Sequence, residues 1–379
     1  MDSALFWEIF FKSLILILVL LTGFAYTTYY ERRTLARIQS RVGPNRAGPF
    51  GLLQPIADAV KLIFKEELIP AQAFKAVFIL APILTVVPAI LITATVPWGG
   101  TVMIGERAVK LGVADINVGV LYIMSVASIA VYGVVLAGWS SNNKYAMMGG
   151  LRSTAQMISY ELALGLSFVA VILLANSMKM TEIVEAQRGI PFFLMQPVGM
   201  IVFFFATLAE LNRGPFDMPE AEQELSAGYN VEYSGMKFAL FMMAEYTKMI
   251  SISAITATIF FGGYREFVLI PPLIKLFPVL SFLSVDQTGW LGPAYMFIKI
   301  VIILFFMIWV RASWPRIRYD RLMALGWKIM LPLSLALVFT TALGILLEMM
   351  WLIPIFSLIS GAVAVQAINL SLRRKAYAR

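Results

Sequence analysis

The sequence predicts an all-α integral membrane protein of about nine transmembrane helices, with one further amphipathic helix on the cytoplasmic membrane surface. Three observations carry this. First, 60% of the 379 residues are hydrophobic and only 14% are charged, whereas a soluble domain is about half apolar and a quarter charged. So little charge cannot cover a surface facing water, and the mean hydropathy is +0.82. Second, the apolar residues gather into runs of the ~20 residues needed to cross a hydrocarbon core. Third, Lys and Arg are concentrated in alternate loops. Together these exclude a disordered chain, a disulfide scaffold and an ordinary soluble enzyme.

Nine runs are predicted to span the membrane: 5–30, 74–96, 116–138, 154–175, 192–211, 236–261, 294–310, 325–347 and 350–370. The first lacks a basic leader and is too long for a cleavable signal. Only Glu348 and Met349 separate the last two, and a tight turn between two spans is expected there, one long kinked helix being the alternative. The whole chain reads as one polytopic domain, with a core of eight spans over 1–348 and an extra span with a basic tail over 349–379.

The loops set the orientation. Arg32, Arg33, Arg37, Arg41, Arg46, Lys61 and Lys65 lie between the first two spans, and Arg311, Arg316, Arg318 and Arg321 between the seventh and eighth. The tail adds Arg373, Arg374, Lys375 and Arg379, while the opposite loops carry few positive charges. The basic side is expected in the cytoplasm, so the N-terminus is outside and the C-terminus inside. The formal charge of +8 therefore reads as a topology signal and membrane-lipid contact, with no nucleic acid as partner. Within 51–67, Leu52, Leu53, Ile56, Val60, Ile63 and Phe64 recur at helical spacing opposite Gln54, Asp58, Lys61 and Lys65. That pattern predicts an amphipathic helix at the membrane surface.

The chain has no Cys and no His. This removes thiolate nucleophiles, Cys-held iron–sulfur clusters, His-ligated haem and the usual zinc sites, and no metal site is expected. Chemistry must rest on carboxylates, Lys, Arg, Tyr and backbone. Charges inside spans are costly and functional by default. Glu161 lies inside the fourth span, Glu210 ends the fifth, Glu245 lies in the sixth with Lys248 three residues on, and Glu31 closes the first. Lys299, in the seventh, is a candidate basic partner for them. Carboxylates balanced between burial and a nearby cation can exchange protons near neutral pH, so the expectation is a buried proton path. Static paired groups that fix helix packing are the alternative.

Two loops stand out. The run from Glu210 through Arg213, Phe216, Asp217, Glu220, Glu222 and Glu224 is acidic on the basic side, and Gly214, Pro215 and Pro219 break any helix there. Carboxylates this close are expected to titrate as coupled groups; the alternatives are a solvated acidic loop or a divalent-metal site, the latter disfavoured because nothing else in the sequence resembles a cation cage. The run 37–49 mixes Gly, Pro and Arg and is expected to form a rigid turn. It can present Arg to a carboxylate or an anionic lipid, or frame a cavity open to lipid.

At these loops the sequence resembles a known family. ERRTLARIQSRVGPN at 31–45, continued by GLLQPIADAVK at 51–61, and AELNRGPFDMPEAEQEL at 209–225, continued by GYNVEY at 228–233 and AEY at 244–246, are similar to signatures of the H subunit of bacterial NADH–quinone oxidoreductase. This is the respiratory complex I component whose counterpart is mitochondrial subunit 1. VYGVVLAGW at 131–139, QMISYE at 156–161 and WPRIRYD at 314–320 also match. The resemblance implies a subunit of a proton-pumping translocase in the bacterial inner membrane that binds no redox cofactor itself. NADH, FMN and iron–sulfur clusters would lie on partner subunits, and the partners would be quinone-module subunits of the peripheral arm and small membrane subunits. Quinone would be the substrate, its chamber approached by Arg32, Arg37, Arg41, Asp58, Phe216 and Asp217. Glu161, Glu210, Glu245, Glu220, Glu222 and Glu224 would couple protons, with Glu31, Arg213 and Lys248 in ion pairs. Arg213 is expected to pair with acidic-loop glutamates. The alternative is the homologous anchor of a membrane-bound hydrogenase or formate hydrogenlyase, which the intact 31–61 segment disfavours.

Overall fold

The computed structural model describes residues 3–104, 107–218, 228–268, 270–272, 284–286 and 288–377. The described chain is almost wholly helical. Helix α1 (Ser3–Ile38) is followed by α2 (Gln54–Ile63), α3 (Lys75–Leu91), α4 (Gly119–Ser140), α5 (Lys144–Ala175), α6 (Met180–Ala186), α7 (Phe192–Met195) and α8 (Pro197–Glu210). Then come α9 (Gly235–Phe260), α10 (Leu291–Ser313), α11 (Tyr319–Leu325), α12 (Leu331–Leu346) and α13 (Leu352–Tyr377). Among the described residues seven helical stretches are long and apolar enough to cross a membrane, and Pro197–Glu210 and Leu352–Gln366 are shorter apolar helices. A helix stands at each of the nine expected places.

The centre of the bundle is α9, with 67% of its most apolar stretch buried, against 6% for α1 at the edge. Helix α9 packs against α1, α3 and α10, while α5 packs against α4, α8 and α12. The aromatic and aliphatic core between them includes Phe168, Phe203, Phe260, Ile255, Met296 and Leu304. Small residues permit the closest approaches. A Cβ on Gly133 would fall 2.5 Å from Thr85 of α3, and one on Gly138 2.7 Å from the Ala146 carbonyl of α5.

Several helix ends differ from the sequence expectation. Helix α1 has 36 residues, about 54 Å at 1.5 Å per residue, so it outruns the hydrocarbon and carries Arg32, Arg33 and Arg37 on its last turns. Glu31 therefore lies within the helix rather than closing it. Helix α5 starts ten residues before the expected span, at Lys144, where the Asn143 side chain caps it by accepting from the Tyr145 amide at 2.9 Å. The expected fifth span is broken at Gln196, between α7 and α8. Gln196 is buried and its Nε2 donates to Thr341 Oγ1 of α12 at 2.7 Å, and just past the break the Val198 amide donates to Ser357 Oγ of α13 at 3.3 Å, so a side chain of another helix takes up a backbone donor left by the interruption.

Residues Gly326–Met330, between α11 and α12, form a π-helical turn. Pro332 follows it and has no N–H for the ladder. The α12–α13 junction is a tight turn: Glu348 takes a left-handed φ of 55°, the Met349 amide bonds Gly344 O at 3.1 Å, and the two helices pack together. One feature that the sequence does not predict is an antiparallel hairpin, β1 (Thr101–Ile104) with β2 (Arg107–Lys110), with Val102 opposite Val109.

Candidate functional site

Helix α8 stops at Glu210, and Asn212 then turns the chain with a left-handed φ of 52°. The turn throws Arg213 inward. Arg213 Nη1 donates to Glu31 Oε1 at 3.1 Å and Oε2 at 3.2 Å, its Nε pairs with Glu245, and its guanidinium lies 4.3 Å from the Tyr246 ring centroid. Arg311, from the end of α10, also pairs with Glu31. Two carboxylates thus meet two guanidiniums, and the cluster is formally neutral. This matters because an unbalanced charge at low dielectric costs several kcal/mol. Burial pulls the Arg213 pKa down, but Glu245 and Glu31 outweigh it and hold it well above the ordinary value. Arg213 is a fixed cation.

A second buried pair lies beside the first. Lys248 Nζ is 2.9 Å from Glu210 Oε1. Glu210, Glu245 and Lys248 border one cavity of about 50 Å³, closed also by Asn212 and Tyr229. That space is large enough for an ordered water among several polar partners. The two pairs therefore border one small, largely apolar cavity, also lined by Val134, Met157 and Phe241. A fourth carboxylate, Glu161 of α5, accepts from the Ser128 hydroxyl of α4. Its neighbour Tyr160 is fully buried, and its hydroxyl donates to Leu322 O of α11 at 2.9 Å.

On the side of the α1–α2 loop, Arg32 Nη1 reaches Asp58 Oδ2 at 2.6 Å, and Gln54 Nε2 donates to the other oxygen at 3.0 Å. Helix α2 sits against α1 and α9, and Pro55 in its first turn sacrifices no bond. Ile56, Val60 and Ile63 are exposed, so the predicted apolar face is open to the surroundings. Asp217 Oδ1 lies 3.9 Å from Arg316. Phe216 is fully buried, its ring packed on Tyr160 and Phe205.

The structure thus joins Glu31, Arg213 and Glu245, joins Glu210 to Lys248, and joins Arg32 to Asp58. Arg37 and Arg41 are exposed, Arg41 donating to Gln39 at 2.7 Å, and neither enters the cluster. Glu220, Glu222 and Glu224 lie outside the described residues. Among the described residues the carboxylate partners of Arg213 are Glu31 and Glu245; the expected pairing with acidic-loop glutamates falls on residues outside them. Lys299 is not a partner for the glutamates either. Its Nζ donates to the carbonyls of Phe261, the C-cap of α9, and of Gly263 and Arg265 in the loop beyond it, at 2.6, 2.8 and 2.7 Å. Buried carbonyls at and past a helix end lack ladder partners, and a buried ammonium supplies them.

Sequence reasoning passed over Arg311, Tyr246 and Ser128. Arg311 looked like a topology charge, although it ends one basic-side span as Glu31 nears the end of another. Tyr246 stood beside Glu245 in the AEY motif, with no chemistry assigned to it.

A family model described as NADH dehydrogenase matches residues 11–342. The chain belongs to this family. The NADH-quinone oxidoreductase H subunit of Rhodospirillum rubrum is 49% identical over 333 residues, 87% of this chain and 92% of that one. The second NADH-quinone oxidoreductase H subunit of Syntrophobacter fumaroxidans is 47% identical over 335 residues, 88% of this chain and 95% of that one. The H subunit of Rickettsia rickettsii is 48% identical over 345 residues, 87% of this chain and 94% of that one. Such identity across nearly the whole length makes the chain an H subunit, a multi-pass membrane component of an NADH–quinone oxidoreductase. The family match ends at residue 342, before α13.

Proposed function

We propose that this H subunit forms the membrane-side part of a quinone chamber and couples quinone reduction to proton translocation through its buried carboxylates. The observation that carries this reading is the Arg213 cluster. One turn joins α8 to a guanidinium shared by Glu31 of α1 and Glu245 of α9, beside the Glu210–Lys248 pair.

The quinone tail needs apolar walls and its head a few polar groups. The open apolar face of α2, the Arg32–Asp58 pair and the 211–218 turn supply both kinds of surface. Arg37 and Arg41 extend the positive rim, and Phe216 and Asp217 lie in the turn that borders it. Reduction of a quinone adds negative charge at the head and draws protons to it. At low dielectric that change is felt strongly by nearby ionised groups. In this reading it shifts the sharing of Arg213 between Glu31 and Glu245, and a proton moves through the Glu210–Lys248 void toward Glu161. Glu220, Glu222 and Glu224 act with them in proton coupling. The groups of this chain bind, orient and hold protons, while NADH, FMN and iron–sulfur clusters belong to partner subunits.

The same reading places the protein in the bacterial inner membrane, N-terminus outside and C-terminus cytoplasmic. The basic loops after α1 and α10 face the peripheral-arm subunits, and small membrane subunits lie alongside. Helix α13 is an addition to an eight-span core.

The test is photolabelling of the intact complex with an azido-quinone. Label displaced by unmodified quinone is expected within 29–58 and 211–218. Labelling confined to other subunits, or not displaced by quinone, would refute the chamber assignment.

A further inference from the structure

Gln156 of α5 is fully buried, and its Nε2 faces three acceptors. These are Ala209 O at 2.8 Å, Phe216 O at 2.8 Å and Asn212 Oδ1 at 3.2 Å. An amide nitrogen carries two hydrogens, so the two carbonyls take full bonds and Asn212 shares. The arrangement fixes the amide's orientation, because the flipped form would set Oε1 against three other acceptors. Ala209 lies in the last turn of α8, one residue before its end, and Phe216 lies seven residues on, across the turn. One side chain thus sets the chord of the turn that carries Arg213. A second link lies one helical turn earlier on α5, where Asn212 Nδ2 donates to Ser153 Oγ at 2.9 Å.

The other end of the amide is informative. Gln156 Oε1 is buried with no hydrogen-bond partner among the described residues. Leaving an acceptor unsatisfied is costly, and a methionine of similar shape would avoid that cost. What Gln156 offers in exchange is its pair of donors.

We propose, resting on the quinone-coupling reading given above, that Gln156 is a positioning residue that holds the 209–216 turn in the register where Arg213 meets both Glu31 and Glu245. Helix α5, which also bears Tyr160 and Glu161, is then tied directly to the guanidinium cluster.

The experiment uses the whole complex in membranes, with electron input to a water-soluble acceptor as the measure of intact assembly. Gln156→Met keeps the length and removes the donors. Gln156→Glu keeps one donor while protonated, but once ionised sets a negative oxygen against three acceptors. The ionisable groups around this site, Arg152, Tyr160, Glu210, Arg213, Asp217 and Tyr229, are common to both variants. A difference between their pH profiles therefore reports residue 156 alone. Quinone-linked turnover of Gln156→Met should fall by about tenfold to hundredfold at every pH, the scale of an ångström-sized misplacement. Gln156→Glu should stay well above it at about pH 6 and drop to its level by about pH 9, steeper than the parent.

Parent-like turnover in Gln156→Met, a parent-like pH profile in Gln156→Glu, or failure of both variants to assemble would each overturn the proposal. A Glu161→Gln complex run alongside separates the two ideas. Normal turnover there with an impaired Gln156→Met refutes the coupling reading alone, and the reverse pattern refutes the positioning role alone.

Discussion

Replacing Arg213 by methionine removes one cation from a cluster of two carboxylates and two guanidiniums. Glu31 keeps Arg311, whereas Glu245 loses the Arg213 guanidinium. Two unit charges about 4 Å apart at an effective dielectric near 20 interact by about 4 kcal/mol, and breaking a buried pair costs about 3–5 kcal/mol. The contact with Tyr246 adds about 1 kcal/mol. Arg213→Met should therefore be severely destabilising. Glu245→Gln leaves Arg213 with Glu31 and should cost about 1–3 kcal/mol, the range for a hydrogen bond to a charged group. The double variant restores neutrality, so it should be more stable than Arg213→Met by about 2 kcal/mol, or about thirtyfold in an equilibrium constant. The assay is a double-mutant cycle on thermal stability of the detergent-extracted complex, with the yield of assembled complex from membranes as a second readout. A double variant as unstable as the sum of the singles would refute the charge-balance reasoning.

Other outcomes follow from the same packing. Gly149→Ala would place a Cβ 2.6 Å from the Gly228 Cα. It should cost about 1–3 kcal/mol as overpacking, seen as lower yield of assembled complex, and normal yield would contradict the contact. Lys299→Met strips the ammonium from three carbonyls at and past the end of α9 and should cost about 3 kcal/mol or more; an unchanged thermal midpoint would refute the cap. Tyr233, outside the spans, is pushed up to about 12 by burial, while an unfolded tyrosine ionises near pH 10. Its contribution to stability should be complete below about pH 10 and lost as pH rises through about 12. Tyr233→Phe should remove that part of the alkaline inactivation profile, at the cost of the bond to Phe78 O.

The places of the helices were legible because apolar runs of membrane length have few other solutions. Their ends were not. The stretch 144–153 carries Lys144, Arg152 and two glycines, and reads as loop, yet it is helical because Gly149 and Gly150 let α5 close on its neighbours. The break at Gln196 depends on Thr341, 145 residues away, which no local pattern reveals. In the site, charges within apolar runs identified Glu161, Glu210, Glu245 and Lys248. Their pairing was hidden, because it depends on the direction in which Asn212 and Gln156 turn the chain. Lys299 had the same sequence signature as a proton-path residue, but its height in the bundle made it a helix cap. Phe216 is expected at the chamber from its motif, and no local pattern shows that its ring is buried against Tyr160.

The central claim is that carboxylates within the helix bundle of this protein link quinone chemistry to proton movement, and half-buried Glu161, replaced by Gln, tests it most directly. Glu161 meets Ser128 across α4 and α5, and the amide of Gln keeps the shape without the charge. The measurement is quinone-linked turnover together with proton uptake in sealed vesicles holding the assembled complex. Normal electron input to a water-soluble acceptor, with turnover and proton translocation both strongly reduced, is the predicted result. Full turnover with full proton translocation would contradict the account.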